Sequence, residues 1–358
     1  MAKIVFAGGG TAGHIEPALA VAKQWKINNP SDQCVFLGTA SGLETILVPA
    51  AGFTLSLIPK VKISRKPSLS WIGIPFSLFS SLLVCRKLIR DAELLIGFGG
   101  YVSAPAYLAA KLSKVPIVIH EANAKPGWAN RLGAMFTRHL AVAQQVESGR
   151  YAQALLVGLP LRSDVVAAFL SAESDWSKAR YGAKVRLGFN QTSPLIFIMG
   201  GSQGSVALNE VVKSSAGFLN EQGLSVLHSV GQSNLLPEAT DTYQPVPYVE
   251  SMADAYLAAD LIIARSGAVT CSEFRALGRY ALFVPLPIGN GEQFANAATL
   301  VLDGRAKVVD QKFFNAEYLK ANLTELLEAS INAPVAGNGQ DLLAAERIVA
   351  LAVIALNS

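Results

Sequence analysis

The apolar run Ile4-Val5-Phe6-Ala7 breaks into Gly8-Gly9-Gly10, and Thr11-Ala12-Gly13-His14 leads from there into a segment rich in Ala, Leu and Val. This is a strand, a tight loop and a helix start. Glycines permit positive φ and let a ligand approach main-chain N–H groups. The first turn of a helix leaves N–H groups without intrahelical acceptors, at the positive end of its dipole. A phosphate or diphosphate fits such a place. His14 is the one side chain of the loop that titrates near neutral pH. A chain that opens this way is committed to a βα unit, with its ligand at the carboxyl end of the strand.

Gly8, Gly10 and Gly13 also satisfy the G-x-G-x-x-G dinucleotide fingerprint. That fingerprint wants an acid at the end of the second strand. Cys34-Val35-Phe36-Leu37 ends instead in Gly38-Thr39-Ala40, and Glu44 comes later. A nicotinamide or flavin site stays open as the weaker reading, and His14 is no part of it.

With 358 residues, 51% hydrophobic and 16% charged, the chain is long and apolar enough for two domains, each with its own core. The mean hydropathy of +0.36 points to a very apolar α/β interior or to contact with a membrane. A net charge of +4 favours anionic ligands or an anionic surface, and no basic tract alternates with aromatics as in nucleic-acid binders. Cys34, Cys85 and Cys271 lack metal-ligand spacing and read as reduced thiols of a cytoplasmic protein. The N-terminus runs directly into a strand, so no signal peptide is expected.

Strands at Lys3–Phe6, Cys34–Leu37, Leu55–Ile58, Leu94–Tyr101 and Val115–His120 alternate with helices, the first from about Glu16 and the next near Leu43–Ala51. Such alternation predicts an α/β fold with a doubly wound parallel sheet. Ligands collect at the carboxyl ends of such strands. The strand ending in Gly97-Phe98-Gly99-Gly100-Tyr101 and the one ending in His120-Glu121-Ala122-Asn123 therefore bring Tyr101, Glu121 and Asn123 towards the first loop. Between the strands Leu55–Ile58 and Leu94–Tyr101, Ser68 to Cys85 carries no charge, and cations flank it: Lys60, Lys62, Arg65 and Lys66 before, Arg86, Lys87 and Arg90 after. It is short for a spanning helix and holds Pro75. A core helix and an interfacial patch of Trp71, Ile72, Ile74, Phe76, Phe79, Leu82 and Leu83 both fit, and the flanking cations favour the interface.

Gly158-Leu159-Pro160-Leu161-Arg162 reads as an interdomain link, after which the pattern restarts. Pro194–Met199 leads into Gly200-Gly201-Ser202-Gln203-Gly204, a second phosphate-type loop. Further strands are expected at Ser225–Ser229, Pro247–Val249, Leu261–Ala264 and Ala281–Val284. Arg265–Glu273 is the densest polar stretch; Ser266-Gly267 suits a helix start, leaving Ala268, Val269 and Thr270 to offer N–H groups. Glu273 could accept from two sugar hydroxyls. Gln293 and Asn296 suit neutral hydroxyls, since an amide both donates and accepts. Asp341–Asn357 reads as one apolar-rich helix.

Gly8–Pro17, Gly97–Ala104, His120–Asn123, Gly200–Gly204, Arg265–Glu273 and Gln293–Ala297 stand in the order and at the spacing of the MurG family. The resemblance covers essentially the whole chain. It implies a GT-B fold: two Rossmann-like doubly wound domains facing a cleft. Residues 1–160 would be the acceptor- and membrane-binding domain, 161–340 the donor domain, and 341–358 a helix returning to the first. It implies an inverting transfer of N-acetylglucosamine from UDP-N-acetylglucosamine to the C4 hydroxyl of the muramyl sugar of lipid I, forming lipid II for peptidoglycan. Carried over by motif, His14 is the candidate base, with Tyr101, Glu121 and Asn123 on the acceptor side and Thr11, Ala12 and Gly13 against the acceptor diphosphate or in contact with the donor in the cleft. Arg162 and Ser202 would meet the donor diphosphate, Val249 would hold uracil through its backbone, and Ala268 to Ser272, Cys271 included, would line the phosphate turn. Glu273 would take the ribose, and Gln293 and Asn296 the sugar. No metal or other cofactor is implied; no Asp-x-Asp pair occurs. The expected partners are UDP-N-acetylglucosamine, lipid I, anionic lipid on the cytoplasmic face of the cell membrane, and other cell-wall enzymes. Ala12, Leu159 and Glu292 depart from the common pattern of Gly, Asn, and Gln or His. A GT-B relative such as a UDP-N-acetylglucosamine epimerase or a glycosyltransferase with a soluble acceptor, a dinucleotide-dependent oxidoreductase and a non-catalytic, membrane-associated nucleotide-sugar binder remain as rivals.

Overall fold

The computed structural model describes residues 1–60, 74–287 and 291–358. The chain divides into two units, 1–162 together with 341–358, and 163–340. In the first, the strands are β1 (Lys3–Gly8), β2 (Gln33–Gly38), β3 (Thr54–Leu57), β4 (Leu94–Gly99), β5 (Ile117–Glu121), β6 (His139–Val142) and β7 (Leu155–Leu156). They form one parallel sheet in the order β3-β2-β1-β4-β5-β6-β7. The helices are α1 (Ala12–Asn28), α2 (Glu44–Ala50), α3 (Ile74–Ile89), α4 (Ser103–Ser113) and α5 (Trp128–Gly133). Ile4, Val5, Phe6 and Ala7 are all buried, because helices cover both faces of the sheet. Phe6 stacks on Phe36 across the β1–β2 pair at 5.0 Å.

The second unit begins with α6 (Ser163–Ser174) and α7 (Trp176–Arg186). Then follow β8 (Leu195–Met199), α8 (Val206–Glu221), β9 (Ser225–Ser229), β10 (Tyr243–Val246), α9 (Met252–Ala258), β11 (Leu261–Ala264), α10 (Ala268–Ala276), β12 (Ala281–Phe283), α11 (Glu292–Leu302), β13 (Ala306–Val308) and α12 (Ala316–Asn332). Its parallel sheet runs β10-β9-β8-β11-β12-β13, the winding order of the first sheet repeated. In each unit the order reverses beside the opening strand, between β1 and β4 and between β8 and β11. Open α/β sheets bind ligands at this switch point.

The last helix, α13 (Ala344–Leu356), packs on the first unit: Ile348, Val349, Ala352 and Ala355 join the core that contains Ile15, Ala18 and Trp25 of α1. Residues 341–357 are not one helix. A 3-10 turn over Gly339–Leu343 precedes α13, because the buried Asp341 carboxylate turns inward to accept from the Leu159 amide at 3.2 Å. Two other elements differ from expectation. Helix α1 starts at Ala12, four residues before Glu16, with Thr11 as its extended N-cap; Gly13 and Pro17 look like loop residues but sit inside it. The strand expected at Pro247–Val249 lies earlier, at Tyr243–Val246. β10 is an edge strand whose sole partner, β9, ends at Ser229 opposite Val246.

Helix α3 turns one face to the core, with Cys85 and Ile89 fully buried, and leaves Phe79 61% and Leu83 52% exposed. Leu82, expected in the surface patch, packs against the core because it lies on the inner face of the helix. Trp71 and Ile72 lie outside the described residues. Ile74 and Phe76 lie on α3, and their side chains are likewise outside the description. Among the described residues, no helix is long and apolar enough to cross a membrane.

Candidate active site

In the first unit, the loops after β1, β4 and β5 meet at one sheet edge. His14 lies on the first turn of α1, with its Nδ1 3.0 Å from the Thr11 hydroxyl. The imidazole lies beside Gly99 and Gly100: a Cβ on Gly99 would come 3.3 Å from the ring and 3.2 Å from the Asn130 amide. Gly100 carries φ +79°, and a Cβ there would strike the Gly9 carbonyl. Burial pushes His14 below the ordinary imidazole value, against the opposing pull of the Glu121 and Glu44 carboxylates. The ring is therefore neutral at pH 7 and able to take a proton.

Tyr101 lays its ring against Gly10 and places its hydroxyl 3.0 Å from the Thr39 hydroxyl. Burial raises its pKa, so the phenol stays protonated and serves as a hydrogen-bonding group. Glu121 is 2% exposed and accepts four hydrogen bonds, from the Asn123 amide and side chain, the Gly127 amide and the Asn130 side chain, all within 3.0 Å. It shapes the loop after β5 and acts on His14 through space. Asn130, absent from the sequence reading, is the hub: it donates to Glu121 and accepts from the buried Tyr107 hydroxyl at 2.7 Å. Glu44 was missed as well. It lies in sequence between two glycine-rich turns and carries no local motif.

In the second unit, the loop after β8 and the start of α10 after β11 lie at the switch point. Ser202 is half-buried in the first; Ser205 caps α8 and accepts from the Leu208 amide at 3.4 Å. Gly267 is the extended N-cap of α10, and Ala268, Val269 and Thr270 form its first turn. Cys271, Ser272 and Glu273 are on its buried side; Glu273 accepts from the Tyr256 hydroxyl at 2.8 Å, and burial pushes the Cys271 thiol up. Arg265 is 7% exposed and braces the site, donating to Val284 and Pro285 carbonyls, the Ser205 hydroxyl at 2.7 Å and the Gln311 amide oxygen at 2.6 Å. Gln293 accepts from the Leu286 amide at 2.9 Å. Asn296 is not on a solvated face; it is buried and donates to the Ser266 carbonyl, tying α11 to the α10 entrance. Val249 is buried in the loop before α9, and the half-buried Arg162 ends the first unit.

This geometry, two switch-point loops with a neutral imidazole at one and helix N-termini over a buried arginine at the other, agrees with the family comparisons. Residues 4–142 match the model of the glycosyltransferase family 28 N-terminal domain, and residues 195–341 match that of its C-terminal domain. The chain belongs to glycosyltransferase family 28. Within this family, a relative from Corynebacterium glutamicum (strain R) is 45% identical over 92% of this chain and 90% of its own. It is a UDP-N-acetylglucosamine--N-acetylmuramyl-(pentapeptide) pyrophosphoryl-undecaprenol N-acetylglucosamine transferase. The crystal structure of Acinetobacter baumannii MurG matches with a TM-score of 0.70 and 28% identity, over 99% of this chain and 100% of that one. The UDP-GlcNAc 2-epimerase from Neisseria meningitidis shares the fold at a TM-score of 0.61, with 15% identity over 99% of each chain. Family 28 membership thus fixes the enzyme class as glycosyltransferase and the architecture as GT-B.

Proposed function

We propose that the chain transfers N-acetylglucosamine from UDP-N-acetylglucosamine to the C4 hydroxyl of the muramyl sugar of lipid I, with inversion, giving lipid II. The observation that carries this reading is the 45% identity, over nine-tenths of both chains, to a transferase of that name. The acceptor oxygen attacks the anomeric carbon as the bond to UDP breaks, and the hydroxyl proton passes to His14. With Nδ1–H donated to the Thr11 hydroxyl, the lone pair lies on Nε2, the form a general base needs. The N–H groups of the Thr11 N-cap and of Ala12 and Gly13 on the first turn of α1 meet the acceptor diphosphate, while Tyr101 and Asn123 line the acceptor and Glu121 holds the loop that carries Asn123. On the donor side, the diphosphate is met by Ser202, Arg162 and the N–H groups of Ala268, Val269 and Thr270; charge at helix N-termini stabilises the departing UDP. Cys271 and Ser272 support that turn from within. Glu273 receives the ribose, Val249 the uracil, and Gln293 and Asn296 the sugar. No metal or other cofactor is required.

The enzyme works at the cytoplasmic face of the membrane. Support comes from exposed Phe79 and Leu83 on α3 beside a groove of about 510 Å³ lined by Arg86, Lys87, Arg90 and Lys114. Apolar side chains flanked by cations suit a surface of anionic lipid. Replacing Phe79 and Leu83 by Ser should weaken binding to phosphatidylglycerol liposomes and spare turnover of a water-soluble acceptor; unchanged binding would remove this surface as the contact.

The deciding measurement is UDP release from UDP-N-acetylglucosamine with and without a lipid I analogue. Acceptor-dependent release with a disaccharide product is the expected result. Release without acceptor, with N-acetylmannosamine formed, would point to an epimerase. Donor binding without release would leave a binding protein.

A further inference from the structure

Glu44 opens α2 and is 0% exposed. One carboxylate oxygen accepts from the Thr39 amide at 2.8 Å and the Thr39 hydroxyl at 3.2 Å, and the other accepts from the Gly10 amide at 3.1 Å. All three partners are neutral. A buried carboxylate with no cation bonded to it among the described residues is a costly way to satisfy two amides. The surrounding chain is cut to fit it: a Cβ on Gly38 or Gly42 would collide with the Glu44 side chain. Thr39 then passes the contact on, with its hydroxyl 3.0 Å from that of Tyr101, whose ring lies against Gly10. A Cβ on Gly10 would come 2.6 Å from that ring. The loops after β1, β2 and β4 are thereby closed into one circuit, from Gly10 through Glu44, Thr39 and Tyr101 back to Gly10.

We propose that Glu44 is the positioning residue of the first glycine loop: it withdraws the Gly10 amide from any phosphate and, through Thr39 and Tyr101, sets the loop so that, of this loop, only the Thr11–His14 turn faces the acceptor. This rests on the transfer reading above. An amide already donating to a carboxylate cannot also receive an anion, since two negative groups would share one donor. The anion is left with the amides of the next turn, beside His14. The charge of Glu44 also reaches the imidazole. The groups facing His14 are Glu44 from α2, Glu121 from β5 and the Thr11 hydroxyl, with Tyr101 and the Lys60 ammonium, 5.6 Å above the Tyr101 ring, next to them.

The test uses the full chain, with E44Q and T39V as variants and two readouts: NMR titration of the His14 ring without substrates, and kinetics against a lipid I analogue. E44Q keeps the size of the side chain but sets an NH2 against the Gly10 N–H or gives up that contact, and it removes the negative charge. Its His14 ring should titrate at lower pH than in the wild type. Its kcat/KM for the acceptor should fall on the order of 100-fold, as expected for a displaced reacting group, with the KM for UDP-N-acetylglucosamine unchanged. T39V, which keeps the Glu44 charge and cuts the link to Tyr101, should lower acceptor kcat/KM by about tenfold and leave the His14 titration in place. A wild-type His14 titration and wild-type acceptor kinetics in E44Q would overturn the proposal. If E44Q does not fold, an unmoved Gly10 amide resonance with normal acceptor kinetics in T39V would overturn it. If the wild type itself transfers no sugar, the transfer reading fails, and the titration and the Gly10 resonance still decide the loop.

Discussion

Beneath the Gly8–Gly13 loop lies a carboxylate, Glu44; beneath the Gly200–Gly204 loop lies a guanidinium, Arg265. The two loops follow equivalent strands, β1 and β8, sit at the same place in the same winding order, and enter helices of similar length. The braces work in opposite senses. The acid accepts from a loop amide and so removes a donor from the site. The arginine donates to two carbonyls, a hydroxyl and a side-chain amide, consumes no loop amide, and adds positive charge under it. A nucleoside diphosphate fits the second arrangement. The first suits the placing of a base, whose charge state the neighbouring acids adjust. On the proposed reading, one supersecondary plan serves two sites of different chemistry, with a single buried side chain bracing each.

The comparison is broken most directly at His14. His14→Gln should lower kcat by about 10²- to 10⁴-fold, the usual range for a general base, and leave UDP binding intact; near-normal turnover would remove His14 as the base. Its protonation should also set the acid limb of the rate profile below pH 6.5, the ordinary imidazole value, since burial lowers it. Arg265→Met tests the other brace. It strands four acceptors in the interior, at a cost of about 3 kcal/mol or more, read as a lower urea midpoint, and the KM for the donor should rise while acceptor affinity holds. Donor binding that survives the change would show that the second loop needs no cation.

The two units should respond alike to acid. His120 in the first donates its Nε2–H to the Gly158 carbonyl at 2.9 Å, and His228 in the second sits between Tyr243 and Asn209. Burial lowers each to about 4. In the unfolded chain each takes a proton near pH 6.5. Stability is therefore complete above about pH 6.5 and falls as the pH drops towards 4, by about 3 kcal/mol for each ring. Denaturation at pH 7 and pH 4.5 measures it, and His228→Asn should remove the second unit's share. The smallest effects separate the two helix caps. Ser205 bonds Leu208 and Arg265, so Ser205→Ala should cost about 1 kcal/mol. Thr11 makes no side-chain cap bond and turns to His14 instead, so Thr11→Ala should barely change the melting temperature but should lower turnover.

What could be read from the sequence was local. Gly8–His14, Gly200–Gly204 and Ser266–Thr270 announce themselves because a turn, its glycines and the helix behind it are contiguous. Tyr101 and Asn123 could be placed at the sheet edge from the sequence because each follows the end of a strand by two residues. The braces were not. Glu44 reaches back to Gly10, and Arg265 spans from Ser205 to Gln311; nothing near either residue signals its partner. Asn130 joins Glu121 to Tyr107 from a six-residue helix that carries no motif. Asn296 reads from sequence as an amide for neutral hydroxyls, and nothing beside it signals that it is buried and donates to the Ser266 carbonyl. The start of α1 was set late because Gly13 and Pro17 are breakers by propensity; Gly13 sits in the first turn, which has few hydrogen bonds to lose, and Pro17 is buried in the second.

The placement of α13 bears on how the protein is made. Residues 163–340 are continuous in sequence, and their core is complete once the ribosome has passed Gln340. The first unit begins earlier but must wait. Until Ile348, Val349, Ala352 and Ala355 emerge, the apolar surface around Ile15 and Ala18 lacks its cover. The half synthesised first is the half finished last, and it is this nascent intermediate that a chaperone would have most reason to hold.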